Sequence, residues 1–153
     1  MSEYPPEGQP APDFELDADD GSKVRLSDLH GRKVVLYFYP KDDTPGCTTQ
    51  ACGLRDQIKD FDARDAIVFG VSADTVASHV RFRDKYSLPF RLLADVGHKV
   101  ADQYGVWKQK SFLGKKYWGI ERTSFVIDEA GRIARVLPRV KPADHVDQLL
   151  EIL

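Results

Sequence analysis

The chain has 153 residues, 42% hydrophobic and 30% charged, with 22 Lys and Arg against 24 Asp and Glu and a formal net charge of −2. This is the length and composition of one globular domain, residues 1–153, with enough apolar side chains for an ordinary core. It excludes a disordered chain, a membrane span (the longest apolar run is only Val34 to Tyr39) and the basic excess of a nucleic-acid binder.

Two cysteines, Cys47 and Cys52, are too few for a disulfide scaffold or a zinc finger. The opening MSEYPPEGQPAPDF has no basic flank and no apolar stretch of the kind that directs secretion. The expected compartment is the cytoplasm, where thiols stay reduced and a disulfide is transient and catalytic.

In chain order, Phe14–Leu16 and Val24–Leu26 flank Asp17–Gly21 and read as an N-terminal β-hairpin. Ser27 is positioned to cap a single helical turn ended by Gly31. Val34–Tyr39 is β-branched and aromatic without polar alternation, the pattern of a central strand buried on both faces. After the loop Pro40–Gly46, Thr44 followed by Pro45 is a helix start, an N-cap hydroxyl before Pro at the first position. The helix is expected to run to about Ala63, with Ala51, Leu54, Ile58 and Phe61 on its buried face. Ile67–Val71 is a second buried strand, parallel to the first through a βαβ unit.

Asp74 is placed to cap a following helix that turns Val76, Val80 and Tyr86 inward. Phe90–Leu93 reads as a short strand and Lys99–Tyr104 as a helix. Residues 107–119, WKQKSFLGKKYWG, read as a loop of aromatics and lysines. Thr123–Ile127 and Ile133–Leu137 form a hairpin around Asp128–Gly131. Ala143–Leu153 closes as a helix. The whole is an α/β fold, a mixed central sheet with helices on both faces and an N-terminal β-hairpin.

Cys47 falls on the third position of the helix that starts after Thr44. Backbone N–H groups are unpaired there and the helix dipole is positive, and both favour thiolate over thiol. A merely packed cysteine needs no Thr-Pro-Gly before it, and the apolar face begins only at Ala51. Cys52 lies five residues on. In an unbroken helix the two Cα atoms would be about 8.6 Å and about 140° apart, whereas a disulfide needs about 7 Å or less. Either the two never bond, with Cys52 only packing, or the first turns unwind. Gly46 and Gly53 both weaken the helix and suit a segment that opens.

The stretch YFYPKDDTPGCTTQACGLRD, with Pro40, Thr44 and Cys47 in a Pro-x-x-x-Thr-x-x-Cys pattern, resembles the peroxiredoxins. GVWKQKSFLGKKYWGIERTSFVID, the opening APDFEL and the FGVSAD segment extend the likeness, to the peroxiredoxin Q or bacterioferritin comigratory protein subfamily, over nearly the whole chain. The resemblance implies a thioredoxin-like fold and a thiol peroxidase acting on hydrogen peroxide and organic hydroperoxides, without metal or cofactor. It implies that Cys47 is the peroxidatic cysteine, that Pro40 shields it, that Thr44 binds a peroxide oxygen and that Arg122 is the active-site arginine. Cys52 matches the resolving cysteine of one branch. The Cys47–Cys52 disulfide so formed would be reduced by thioredoxin or, as in some members, glutaredoxin. The Gly-Gly-Leu-Gly segment and C-terminal Tyr-Phe helix of peroxide-sensitive members are absent from the sequence, which implies resistance to inactivation. No swapping arm follows the last helix, and a monomer is expected.

The competing enzyme reading is a thiol–disulfide oxidoreductase. Against it stand Cys-x-x-x-x-Cys in place of Cys-x-x-Cys, and Arg122 where a thioredoxin-like chain carries proline. A third reading, a chaperone or metal-binding module without turnover, has no specific support. The four histidines, His30, His79, His98 and His145, show no ligand spacing and read as surface or loop residues. Asp42-Asp43 reads as a solvated turn. Trp107, Phe112, Tyr117 and Trp118 fit either core or the border of the site. The nearby lysines, Lys108, Lys110, Lys115 and Lys116, read as solvated groups able to steer an acidic partner.

Overall fold

The computed structural model describes residues 3–153. The N-terminal hairpin is present as β1 (Glu15–Ala18) and β2 (Lys23–Arg25). A 3-10 turn follows at Leu26–Leu29, entered from Arg25 instead of capped by Ser27. Then come β3 (Lys33–Phe38), α1 (Pro45–Asp56), α2 (Ile58–Ala63), β4 (Ala66–Ser72) and α3 (Val76–Tyr86). The chain continues with β5 (Arg91–Ala94), α4 (Lys99–Gln103), β6 (Trp107–Phe112), β7 (Lys115–Ile120), β8 (Thr123–Ile127) and β9 (Ile133–Leu137). It closes with a 3-10 turn at Pro142–Asp144 and α5 (His145–Ile152).

Seven strands form one mixed sheet in the order β2-β1-β5-β4-β3-β8-β9. β3, β4 and β5 are mutually parallel, and the remaining neighbours are antiparallel. β3 is central, and its alternate residues enter two different cores. Val34, Leu36 and Phe38 pack with Val100, Ala101 and Tyr104 on one side. Val35, Tyr37 and Tyr39 pack on the other with Cys47, Ala51 and Leu54 of α1, Phe61 of α2, Phe82 of α3 and Leu149 of α5. Burying one such large side chain stabilises the fold by about 1.5–3 kcal/mol. The mixed sheet with helices on both faces is thus the expected one.

Several local expectations are revised. The long helix breaks at Gln57, whose ψ of 14° leaves the helical region. No Gly or Pro marks the break, and Phe61 remains fully buried beyond it. Thr75, not Asp74, caps α3: its hydroxyl accepts from Ser78 N–H at 3.1 Å. Asp74 instead accepts from the Asp42 amide at 2.8 Å and the Ser72 hydroxyl at 2.6 Å. The buried face of α3 is His79 and Phe82, while Val76, Val80 and Tyr86 are only half-buried.

Residues 107–119 are not a loop. β6 and β7 pair as a separate two-stranded ribbon. Its turn residues, Leu113 and Gly114, both have positive φ (51° and 79°), the backbone of a type I′ hairpin. Leu is a poor signal for that turn, and the ribbon meets the core only at its base, through Ile120 and Trp107, so nothing imposes alternation along it. Phe112, Leu113, Tyr117 and Trp118 are exposed, and Trp107 stacks on His98 with ring centroids 3.9 Å apart.

Candidate active site

The site forms where β3 ends and α1 begins. The loop between them is clamped to α3. Buried Asp42 accepts from the Tyr39 hydroxyl at 2.5 Å and the Ser78 hydroxyl at 2.8 Å, and His79 Nδ1 lies 2.7 Å from it. His79 Nε2 lies 2.9 Å from the Leu93 carbonyl. Asp43, at φ 57°, accepts from Lys85 at 2.8 Å and from the Tyr86 hydroxyl at 3.0 Å. Asp42 is therefore a buried anchor and not a solvated turn residue, and His79 is core, not surface. Asp42 also presses on Tyr39: burial first, then its negative charge, pushes the Tyr39 phenol well above its ordinary range.

Thr44 occupies the N-cap, as expected, and Pro45 the first helical position. The Thr44 side chain makes no capping bond; its hydroxyl donates to the Lys41 carbonyl at 2.8 Å. The Thr48 amide takes the Thr44 carbonyl at 2.8 Å, and Pro45 has no N–H. The Gly46 and Cys47 amides are the first-turn donors with no helical carbonyl four residues back. Pro40 is half-buried just beyond β3.

Cys47 is 1% exposed, packed against Tyr37 and Tyr39, while Cys52 is half-buried. Both thiols are free and both lie within the unbroken helix α1. Arg122, immediately before β8, donates from Nη1 to Cys47 Sγ at 3.3 Å and to Gln50 Oε1 at 2.8 Å. Gly46 permits this approach, since a Cβ there would lie 3.0 Å from Arg122 Nη2 and 3.3 Å from Pro142 Cγ. Glu121, the sequence neighbour, is held elsewhere by the Tyr4 and Thr123 hydroxyls.

Three further side chains were not legible as site residues. Gln50, fully buried, places Nε2 3.0 Å from His145 Nδ1, and His145 Nε2 lies 2.6 Å from the Ser124 hydroxyl. His145 is fully buried, contrary to its surface reading. Burial first, and then the positive charge of Arg122, lowers its pKa to about 3, so the ring is neutral. The available signal was Gln50 itself, a polar residue on the apolar stripe Cys47, Gln50, Ala51, Leu54. Lys110 is half-buried and donates to the Ile120 carbonyl. Burial and the Arg122 charge lower its pKa, so it borders the site and is not freely solvated.

The structure thus joins Cys47, Arg122 and the start of α1, with Thr44 at its cap. It keeps Cys52 about 1.4 turns further along the intact helix. A buried sulfur beside a permanent cation and free amides suits nucleophilic thiol chemistry.

Comparison with known proteins agrees with this geometry. The AhpC/TSA family profile matches residues 7–136. The chain is 51% identical over 146 residues to peroxiredoxin Bcp of Bacillus subtilis, covering 95% of this chain and 93% of that one. It is 47% identical over 146 residues to peroxiredoxin Bcp of Escherichia coli, covering 95% and 94%. Among solved structures it superposes on the Xanthomonas campestris bacterioferritin comigratory protein, studied for its alkyl peroxide reduction activity. The TM-score is 0.89 at 33% identity, covering 96% of each chain. A chain matched so fully, with a buried cysteine and an arginine at the start of its first long helix, belongs to the AhpC/TSA family as a peroxiredoxin of the Bcp type, a peroxidase that reduces peroxides at the expense of a thiol reductant.

Proposed function

We propose that Cys47 is the peroxidatic cysteine and Cys52 the resolving cysteine of an atypical 2-Cys cycle, acting on hydrogen peroxide and alkyl hydroperoxides in the cytoplasm. The observation that carries this reading is Arg122 Nη1 at 3.3 Å from Cys47 Sγ on the first turn of α1. The Cys47 thiolate attacks one peroxide oxygen. An S–O bond forms with the sulfur electron pair, the O–O bond breaks, and the other oxygen leaves as hydroxide or alkoxide that takes a proton from water. Cys47 is left as a sulfenic acid.

Negative charge spreads along S–O–O in the transition state. Arg122 and the Gly46 and Cys47 amides are fixed donors aimed at it. The Thr44 hydroxyl has committed its hydrogen to Lys41 O, so its lone pairs remain to accept the peroxide hydrogen. Pro40 covers the approach from the end of β3.

The second step requires motion. Within an intact α1 the cysteine Cα atoms stand about 8.6 Å apart, beyond the roughly 7 Å limit of a disulfide, so the first turns unwind. The Cys52 thiolate then attacks the sulfenic sulfur. An S–S bond forms, the S–O bond breaks, and hydroxide leaves as water after taking a proton. An external dithiol, thioredoxin in this reading or else glutaredoxin, returns both thiols by exchange. The chain acts as one domain, residues 1–153, and as a monomer.

Intact mass after one equivalent of hydrogen peroxide tests the cycle. Wild type is expected to lose two hydrogens, Cys52→Ser to gain one oxygen, and Cys47→Ser to remain unchanged. A wild type that does not react removes the peroxidatic role of Cys47. A wild type that gains one oxygen, as Cys52→Ser does, leaves Cys52 as packing and makes the reductant attack Cys47 directly. Elution as a dimer in sizing chromatography overturns the monomer.

A further inference from the structure

We infer that His145, carried on α5 far from the cysteine in sequence, is a positioning residue for Arg122 that acts through Gln50. The inference rests on the role given above to Arg122.

Arg122 Nη1 donates to Gln50 Oε1 at 2.8 Å, so the Gln50 amide turns its nitrogen to His145 Nδ1 at 3.0 Å. That amide nitrogen is a donor only, so Nδ1 must accept. The hydrogen of the neutral ring is therefore assigned to Nε2, which donates to the Ser124 hydroxyl at 2.6 Å. A second ring proton would set N–H against N–H. Burial enforces the same state by holding the imidazole neutral. Gln50, His145 and Ser124 are all fully buried, and the His145 ring also packs on Tyr37 with centroids 5.5 Å apart.

The chain Arg122–Gln50–His145–Ser124 thus has one direction of donation and no alternative amide flip that satisfies it. Flipping Gln50 would face its nitrogen to the guanidinium and its oxygen to the Nδ1 lone pair. A flexible arginine is held in one place by a glutamine that a histidine prevents from turning. Every partner in the chain is neutral. Among the described residues no carboxylate pairs with Arg122, and Glu121 is occupied by Tyr4 and Thr123. The guanidinium is oriented without being neutralised, so its full charge faces the sulfur and the bound peroxide. Dipoles aligned in this way reinforce one another in a low-dielectric interior.

The test uses the full reduced chain in a Cys52→Ser background. Stopped-flow gives the rate constant of Cys47 with hydrogen peroxide. Alkylation by iodoacetamide, measured in parallel, reports the thiolate without needing a peroxide held by Arg122. His145→Phe, which keeps the ring and removes both nitrogens, is expected to lower the peroxide constant at least tenfold and the alkylation constant less than twofold. His145→Asn, which keeps an acceptor near the position of Nδ1, should recover most of the loss. Gln50→Leu should reproduce the selective loss without altering α5, and this arm stands even if His145→Phe fails to fold.

A loss equal for both reagents would mean that α5 merely supports the first turn and would overturn the inference. So would a Gln50→Leu loss without any His145 effect. Arg122→Leu, which removes the charge as well as the donors, separates the two readings in the same assay. If it leaves the peroxide constant unchanged, the role of Arg122 fails. If it lowers that constant while His145→Phe does not, only the role of His145 fails.

Discussion

Arg122 makes two bonds from one nitrogen, to Cys47 Sγ and to Gln50 Oε1. Lysine keeps the charge but loses the planar guanidinium that fixes where that nitrogen points its two hydrogens. Arg122→Lys is therefore expected to lower the peroxide rate constant about a hundredfold, the loss typical of one preorganised donor; a fall below about threefold would show that charge alone suffices. Tyr37 presents the opposite case. Its hydroxyl is fully buried and, among the described residues, is the side-chain polar atom left without a hydrogen-bond partner. An unmade buried bond costs about 1–3 kcal/mol. Tyr37→Phe should leave stability unchanged or raise it by about 1 kcal/mol in urea unfolding, and a loss of that size would mean the hydroxyl has a partner after all.

The first turn of α1 is shaped by what it lacks. Pro45 has no N–H, and Gly46 has no side chain where Arg122 and Pro142 press closest. Gly46→Ala sets two effects against each other. Alanine favours the helix by about 1 kcal/mol over glycine, but its Cβ would stand 3.0 Å from Arg122 Nη2. The expected outcome is a peroxide rate constant about tenfold lower with a thermal midpoint equal to or above wild type. An unchanged rate would show that Arg122 can give way without loss. Gly53 plays the matching part further along, since a Cβ there would meet Val146 of α5 at 3.1 Å. The same two glycines that weaken α1 in isolation are the contacts that dock it.

Across the whole molecule, one sheet separates two cores, and α1, α3 and α5 share the side that holds Cys47. His145 sits in that core as a neutral ring with its pKa lowered to about 3. In the unfolded chain an imidazole titrates near ~6.5. Between these values the unfolded state takes up a proton that the folded state refuses. The contribution of His145 to stability is therefore complete above about pH 6.5 and is lost progressively as pH falls toward about 3. The thermal midpoint should fall on acidification from pH 7 to pH 4.5, and more shallowly in His145→Asn than in wild type. Equal slopes in the two proteins would show that the imidazole is already protonated in the folded state or that it reaches water there.

Strands and helices were legible where their cause is local. The apolar run Val34–Tyr39 marks a strand with both faces covered whatever its partners are. Thr44-Pro45 marks a helix start, and with it the cysteine on the third position. The family likeness of residues 105–128 extended that reading to Arg122. Residues 107–119 were not legible, because a ribbon that meets the core only at its base shows no alternation and Leu113-Gly114 is a weak turn signal. Nor were Asp42, His79 and His145, which read as solvent-facing, or Gln50, which only its place on an apolar stripe set apart. Their burial depends on partners brought in from elsewhere: Gln50 meets Arg122 across 72 residues and His145 across 95. The amino-acid sequence by itself determined the elements and the reactive sulfur, because propensity, periodicity and capping act within a turn or two. Only the tertiary structure decided which polar groups pair in the interior around that sulfur, because a buried hydrogen bond exists only once both its partners have been carried out of water to the same place.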